Sequence, residues 1–346
     1  MTSGRRRAPG LALLPLLAAL QGCASPDPAP SALLTEVAAP PGFPPGPLAA
    51  AAPADSALTE ARARLGRRLF FDAQLSRTRL VSCASCHRPE NAFSEPQAVS
   101  TGVDGRRGVR NAPALVNLAW AQDLFWDGRV SSLEVLAGKP IENPDEMDLA
   151  LPEAVARLGA DPSYQQEFAA AYAGAPTELT LRQALASFVR TLVSGNSPYD
   201  RFRRGETSAL DAAARRGLEI FSSGKGGCFH CHPAGRLSND GFFNNGSYVA
   251  GGDPGRQIIS GRSCDLRKFT VPGLRNVAVS APYMHDGSLP TLEAVVDQYV
   301  RGGRGGPNTD ANIAPLSLSD LDKSDLVAFL KSLTDSDFLT DPRHRN

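Results

Sequence analysis

The sequence predicts an all-α protein of two helical domains with long loops and little β structure. Apolar residues recur at helical spacing over much of the chain, whereas the alternation that is typical of strands is scarce. Beyond residue 55, roughly 290 residues remain, which is the length of two domains. The polar stretch from Asn196 to Glu206 indicates the joint between them. We therefore expect one domain over residues 56–200 and a second over residues 201–346.

The N-terminal region has the pattern of an export signal. Three arginines at positions 5–7 precede an apolar run, Leu11 to Leu20, that is too short to span a bilayer. The run leads to Cys23 and resembles the lipobox of bacterial lipoproteins, so we expect a signal peptide over residues 1–22 and a lipid at Cys23. An ordinary cleaved signal with a leftover cysteine is the alternative, and either one places the mature protein outside the cytoplasm. Residues 23–55 are mostly Ala and Pro, and we expect a flexible tether there.

Helices are predicted in both halves of the remaining chain, with loops between them. The predicted helices cover Leu58–Leu69, Leu181–Leu192, Leu210–Phe221, Thr291–Tyr299 and Asp320–Leu333. Loops rich in Gly, Pro and Asn lie between them, notably over residues 240–255 and 302–307. Loops of this length in a helical chain require something else to pack against.

Charge and hydropathy limit the partners of the chain. The sequence has 36 basic and 36 acidic residues, a formal net charge of zero, and no basic stripe. A nucleic-acid partner is therefore not expected. No stretch after residue 23 is long and apolar enough to cross a bilayer, so we expect membrane contact only through a lipid at Cys23.

Two copies of the pattern C-x-x-C-H lie about one domain apart. They consist of Cys83, Cys86 and His87 in the first half, and of Cys228, Cys231 and His232 in the second. This spacing lets two thiols bond to the vinyl groups of one haem while the adjacent imidazole binds its iron, so the motifs predict two covalently bound haems c. A zinc site from the two cysteine pairs, or two disulfides, is the alternative, and the histidine after each pair argues against it. We expect His230 at the haem edge and assign no role to Cys264.

The text around both motifs resembles the bacterial dihaem cytochrome c peroxidase and MauG family, from about Leu58 to Thr334. The matching stretches are FFDAQLS, RNAPALVN, FWDGR, ENPDEM, LRNVAVSAPYMHDGS and DLVAFLKSLT. The resemblance implies two cytochrome c-like domains, each around one haem, in a periplasmic enzyme that uses hydrogen peroxide. It also implies that peroxide binds at the first haem and that the second haem transfers electrons.

The resemblance assigns roles to three residues near the first haem. Trp126 of FWDGR matches a tryptophan that relays electrons between the haems. Glu146 of ENPDEM matches the distal carboxylate that moves a proton between the peroxide oxygens, and Pro140 belongs to the same pocket. A core tryptophan and a solvated loop glutamate are the competing interpretations.

A calcium site between the domains is implied as well. Asn111 of RNAP and the backbone carbonyls of Ser280 and Pro282 match its ligands, and oxygen donors suit this ion. A plain turn at Asn111 is the alternative.

The chain departs from the peroxidase branch of the family at two positions of the first site. Val103 stands where that branch has a distal histidine ligand, so we expect an open iron position at which peroxide can bind. Leu136 stands where a glutamine usually shares the pocket with Glu146.

The sixth ligand of the second haem is a third departure. Tyr299 stands where the peroxidases have a methionine, as in MauG, and it shares a predicted helix face with Leu292 and Val296. A tyrosinate is a hard anionic donor that favours ferric iron, whereas a thioether favours ferrous iron and raises the potential. Met284 is the rival ligand, and simple core packing of Tyr299 is the remaining alternative. We expect His285 near the haem rather than on either iron.

These features favour a peroxide-dependent oxidant of the MauG type, which draws electrons from an external donor such as a protein side chain. The first alternative is a peroxidase that removes peroxide with electrons from a small c-type cytochrome or a cupredoxin. The second alternative is a non-enzymatic electron carrier in which both irons are six-coordinate.

Overall fold

The structure is a computed structural model that describes residues 1–2, 39–247 and 252–346. The predicted signal peptide from residue 3 onward, Cys23 and the first part of the predicted tether lie outside the described residues. The described chain from residue 39 onward belongs to one compact unit. Among its helices, none combines the length and the apolar character of a membrane span.

The described chain is mostly helical, which confirms the predicted fold class. The helices are α1 (Glu60–Phe71), α2 (Cys83–Cys86), α3 (Leu133–Glu142), α4 (Leu151–Gly159), α5 (Pro162–Tyr172), α6 (Glu178–Thr191), α7 (Pro198–Arg203), α8 (Ala212–Phe221), α9 (Gln257–Ser260), α10 (Leu292–Val300), α11 (Asp320–Lys331) and α12 (Ser336–Thr340). Two short antiparallel strands, β1 (Phe242–Phe243) and β2 (Phe269–Thr270), pair with Phe242 opposite Thr270.

Side-chain caps determine where several of these helices begin. Thr59 accepts a hydrogen bond from the Arg62 amide at the start of α1. Thr177 and Ser319 each begin a helix, α6 and α11, with a reciprocal capping box. Such caps satisfy amide groups that the first turn leaves without partners, so each helix has a defined start.

Each half of the chain contains a pair of helices that cross at a glycine. A methyl group on Gly66 of α1 would lie 1.8 Å from the Ala184 carbonyl oxygen of α6. In the second half, a methyl group on Gly217 of α8 would lie 2.0 Å from the Asp325 carbonyl oxygen of α11. The backbones therefore approach more closely than any side chain would allow, and the same crossing is built twice.

The repeat continues through the turns that lead into α3 and α10. Leu124 forms a bridge with Val130, and Tyr283 forms the same bridge with Leu289, 159 residues later. Ser132 then caps α3, and Thr291 caps α10 at the same offset. The two helices are thus counterparts, and this offset aligns residues of the first half with residues of the second.

The apolar interior consists of two main clusters, one built from α1–α6 and one from α8, α10 and α11. Phe338 of α12 packs in the first cluster, although the predicted domain limits assign it to the second domain. The Asp335 carboxylate directs α12 toward the first half by accepting hydrogen bonds from the amides of Gly195 and Asn196, both 2.9 Å. The end of the chain therefore returns to the first half.

The described part of the predicted tether is folded, which corrects that prediction for residues 39–55. The Phe43 ring lies 4.8 Å from the Trp120 ring, centroid to centroid, and Leu48 is fully buried beside Leu58. Large apolar side chains are few in this segment, but Phe43 and Leu48 attach it to the first half by packing against Trp120 and Leu58. Ala and Pro content alone does not predict such anchoring.

Candidate functional site

The first C-x-x-C-H motif lies at one wall of a large cavity. Cys83 and Cys86 are the first and last residues of α2, and His87 ends that helix. The Nδ1 atom of His87 lies 2.7 Å from the Phe93 carbonyl oxygen. A carbonyl can only accept, so Nδ1 carries the hydrogen and Nε2 keeps the lone pair that an iron would need. The cavity has a volume of about 1120 Å³, and all three residues of the motif line it.

The second motif repeats the contact between the histidine ring and a backbone carbonyl. The Nδ1 atom of His232 lies 2.9 Å from the Leu237 carbonyl oxygen, so its Nε2 is likewise available. Phe221 lies 6.5 Å from the His232 ring, and Phe70 lies 6.5 Å from the His87 ring, centroid to centroid. Equivalent phenylalanines therefore flank both imidazoles on the crossing helices α1 and α8.

The cysteine chemistry of the described residues fits haem attachment and not the alternatives. All four motif cysteines are free thiols, so the two predicted pairs are not disulfides. Within the described residues, no three His, Cys, Asp or Glu side chains converge as a zinc site would require. Burial raises the pKa of both Cys83 and Cys228 to about 12, which keeps these thiols neutral. Paired free thiols next to an imidazole whose Nε2 keeps its lone pair are what covalent attachment of a haem needs.

Glu146 lies on the wall of the same cavity as His87. Burial raises the pKa of its carboxyl group, and a 2.6 Å hydrogen bond from Asn143 Nδ2 to Glu146 Oε1 opposes that rise. Pro140 and Leu136, both on α3, line the cavity beside it. The structure thus brings a partly buried carboxyl group and apolar walls to one cavity.

The loop that carries Val103 is attached directly to the loop that carries Glu146. The Val103 amide donates a 2.8 Å hydrogen bond to the Glu146 carbonyl oxygen, and the Val103 side chain is buried. Gly102 makes this approach possible, because a methyl group there would lie 2.2 Å from the Asp145 carbonyl oxygen. The aliphatic side chain of Val103 therefore stands where the peroxidase branch has a distal histidine, and it cannot bind iron.

Trp126 connects the two halves of the chain. Its indole Nε1 donates a 2.8 Å hydrogen bond to the Asn111 carbonyl oxygen, and its own carbonyl accepts one of 2.9 Å from the Thr270 amide. Trp126 also lines the cavity. Trp126 belongs to the first half and is hydrogen-bonded to β2 of the second half, so it lies where the two halves meet and not inside one core.

An ion-pair network beside Trp126 was missed by the sequence reasoning. Arg110 forms a bidentate pair with Asp253, 2.5 and 2.9 Å, and reaches Asp127 at 2.6 Å. Asp253 lies in a stretch that the sequence indicates only as a loop. No local pattern marks it, since its partner is 143 residues away.

The three residues of the predicted calcium site lie on connected loops. The Asn111 amide donates to the His285 carbonyl oxygen at 2.7 Å, which ties Asn111 to the loop of Ser280 and Pro282. Asn111 Nδ2 donates to the Gln97 carbonyl oxygen, so Oδ1 is the side-chain atom left for a cation. Among the described residues, no donor reaches the carbonyl oxygens of Ser280 and Pro282. Three oxygen atoms therefore remain without donors, and calcium stays a prediction.

Tyr299 and Met284, the two predicted candidates for the sixth ligand of the second haem, converge on one amide group. Asn245 Nδ2 lies 3.2 Å from Met284 Sδ and 3.3 Å from Tyr299 Oη. Burial raises the pKa of Tyr299 to about 12, and the nearby Cys231 and Cys228 act in the same direction. The phenol also lies beside the amide group of Asn245, which opposes the rise of its pKa. Asn245 was not anticipated, because it lies in a loop with no motif.

Three further residues have simple surroundings. His285 stacks on Phe269, with ring centroids 3.8 Å apart. His230 is exposed and packs on the neighbouring ring of Phe229. Cys264 is an exposed free thiol.

Comparison with known proteins agrees with this geometry. The family model of the di-haem cytochrome c peroxidases matches residues 60–208. The methylamine utilization protein MauG of Methylorubrum extorquens is 41% identical over 286 residues, covering 81% of this chain and 80% of that protein.

The chain belongs to the dihaem cytochrome c peroxidase family.

Other members of this family match over a similar length. The cytochrome c551 peroxidase of Pseudomonas aeruginosa is 33% identical over 288 residues, covering 80% of each chain. A crystal structure of a MauG-like protein associated with microbial copper homeostasis has a TM-score of 0.80 and 34% identity, covering 85% of this chain and 95% of that one. Both branches of the family are thus represented among the relatives.

Family membership confirms the resemblance that the sequence motifs indicated. The chain is an oxidoreductase that acts on peroxide, and the family carries two haems c. The second alternative above, an electron carrier that does not react with peroxide, therefore does not fit a family of peroxide-dependent oxidoreductases.

Proposed function

We propose that the chain is a dihaem peroxidase of the MauG type, which reduces hydrogen peroxide at the first haem and oxidises an external donor through the second. The observation that carries this proposal is the position of Tyr299 in the repeat. Tyr299 lies on α10 and its Oη accepts a hydrogen bond from Asn245, and the residue of α3 that corresponds to Tyr299, 159 positions earlier, is Pro140. Tyr299 of α10 would thus provide a phenol for the second iron, whereas Pro140, at the equivalent position of α3, has no side-chain donor for the first iron.

Glu146 would transfer protons at the first site, and its neighbours would shape the pocket around it. The haem, when bound, would supply the redox chemistry for the two-electron reduction of peroxide. Reducing hydrogen peroxide to two water molecules also consumes two protons, and a partly buried carboxyl group can carry a proton from one peroxide oxygen to the other. Burial raises the pKa of Glu146, which favours a carboxyl group that can hold a proton, while Leu136 and Pro140 keep the wall apolar.

Trp126 would pass electrons between the two halves. Its indole is hydrogen-bonded to Asn111 on one side, and its backbone to β2 of the second half. These bonds hold the ring in place, which a relay requires because electron transfer weakens steeply with distance. A calcium ion on Asn111, Ser280 and Pro282 would strengthen the same contact between the halves.

Tyr299 is our proposed sixth ligand of the second haem. An anionic phenolate stabilises ferric iron, so this haem would have a low potential and would hold oxidising equivalents rather than donate electrons. A protein side chain is then a suitable external donor. We further propose that the enzyme works in the periplasm, with a lipid at Cys23 as its membrane contact.

Simple removal of peroxide, with electrons from a small c-type cytochrome or a cupredoxin, is the second candidate. Met284 favours it, because its thioether lies as close to Asn245 as the phenol does. Methionine ligation would raise the potential of the second haem and make it an electron donor.

A redox titration with spectra separates the two candidates. We expect two haems per chain, a second haem that reduces only at low potential, and a ferric spectrum that Tyr299→Phe changes and Met284→Leu does not. A second haem that reduces at high potential, with a spectrum that only Met284→Leu changes, would establish the peroxide-removing alternative. Glu146→Gln should lower the rate of peroxide consumption by about 100-fold or more at unchanged haem content.

A further inference from the structure

The loop of Asn244–Ser247 is firmly held against the residues that follow α10. Asn244 Nδ2 donates to the Pro307 carbonyl oxygen at 3.0 Å, and the Asp310 amide donates to the Asn244 carbonyl oxygen at 3.0 Å. The Arg304 amide donates to the Gly246 carbonyl oxygen at 2.8 Å. The backbone of Asn245 is thus fixed on both sides by contacts that involve neither Tyr299 nor Met284.

The orientation of the Asn245 side-chain amide is determined as well. Its Oδ1 accepts a 3.1 Å hydrogen bond from the Ser247 amide, a group that can only donate. The other end of the side chain must therefore be the NH₂ group. This group is the one that lies 3.2 Å from Met284 Sδ and 3.3 Å from Tyr299 Oη.

An N–H donor does not treat the two candidate ligands equally. A phenolate oxygen is a strong acceptor with lone pairs for both a metal and a donor, and a hydrogen bond to an anion is about twice as strong as one between neutral groups. A thioether sulfur is a weak acceptor. The same amide therefore stabilises ligation by Tyr299 much more than ligation by Met284.

We propose that Asn245 is a positioning residue that selects Tyr299 over Met284 as the sixth ligand of the second haem. The selection rests on the proposed function, because it requires that Tyr299 is the ligand. Asn245 acts through the phenolate oxygen and touches no reacting atom of the substrate. Its expected effect is on the electronic state and the potential of the second haem.

The test uses the purified, haem-loaded enzyme and three variants. Asn245→Asp removes the donor but keeps an acceptor for the Ser247 amide, and Asn245→Ala removes the donor without adding a charge. Asn244→Asp is the matched control, because it breaks the bond to Pro307 in the same loop and touches neither candidate ligand. Each protein is characterised by haem content, ferric electron paramagnetic resonance and the midpoint potential of the second haem.

Both Asn245 variants should convert part of the ferric signal of the second haem to a methionine-ligated or high-spin form, and Asn245→Ala, which adds no charge, should also raise its midpoint potential. Asn244→Asp should leave both quantities as in the wild type. If Tyr299→Phe changes the wild-type signal but the Asn245 variants do not, the role of Asn245 is overturned while the proposed function stands. If Tyr299→Phe leaves the wild-type signal unchanged, Tyr299 is not the ligand and both proposals fall. An equal change in Asn244→Asp would reduce Asn245 to a general support of the loop and overturn its selecting role.

Discussion

The side-chain amide of Asn143 donates a 2.6 Å hydrogen bond to Glu146 Oε1 in the pocket of the first haem. Burial raises the pKa of Glu146, this hydrogen bond and the positive charge of Arg129 lower it, and the negative charge of Asp145 raises it. Neighbouring groups therefore act on the pKa of the proposed proton carrier in opposite directions, and Asn143 and Asp145 can be altered one at a time.

Changes at these two neighbours should shift the pH profile of peroxide turnover in opposite directions. Asn143→Asp replaces the donor with a carboxylate, which raises the pKa of Glu146 further. If turnover needs the ionised form, the acid limb of kcat/KM then moves to higher pH. Asp145→Asn removes a negative charge, lowers the pKa and moves the acid limb to lower pH. Shifts in the same direction in both variants would contradict this role of Glu146.

Gly102→Ala should disturb the first site through its backbone. The added methyl group would meet the carbonyl oxygens of Asp145 and Glu146 at 2.2 and 2.4 Å, and neither can move without displacing the Glu146 loop. We expect a loss of about 1–3 kcal/mol in the free energy of unfolding and reduced peroxide turnover. Gly108→Ala is the control, because its nearest atoms lie 3.9 Å away. Equal stability of the two variants in denaturant titrations would show that the close approach is not maintained in solution.

Asn111 should be required for the binding of calcium between the two halves. We expect the enzyme to bind one calcium ion per chain in equilibrium dialysis, and Asn111→Ala to lose it. The control is Asn91→Ala, which breaks another 2.9 Å bond to the same loop, from Asn91 Nδ2 to the Val279 carbonyl oxygen. Calcium binding that survives in Asn111→Ala would place the ion elsewhere.

Arg275→Leu should destabilise the second half. Arg275 and Asp200 form a 2.6 Å ion pair, and their side chains are only 3% and 0% exposed. Loss of the guanidinium leaves a buried carboxylate without its partner, so we expect a loss of about 3–5 kcal/mol in the free energy of unfolding. Lys331→Ala, which breaks an exposed pair with Glu293, should have little effect. Denaturant titrations at constant haem content would detect the difference, and a loss below 1 kcal/mol for Arg275→Leu would be unexpected.

The sequence was sufficient for the features that depend on short spacing. Two thiols and an imidazole within five residues suit one haem wherever they occur, so the C-x-x-C-H motifs predicted the chemistry without knowledge of the fold. The helical periodicity of residues 210–221 and 320–333 likewise predicted α8 and α11 closely. Resemblance then supplied Glu146, Pro140 and Trp126, which the structure places on one cavity.

Tertiary structure alone decided which distant groups meet. Asn245 reaches Tyr299 across 54 residues, Arg110 reaches Asp253 across 143, and Phe338 returns to the core of the first half. Each of these contacts depends on the path of the whole chain, and no local pattern records it. Local spacing therefore determined that haem can be attached here, whereas long-range packing decided which atoms surround it, because side chains far apart in sequence share a pocket only after the chain has folded.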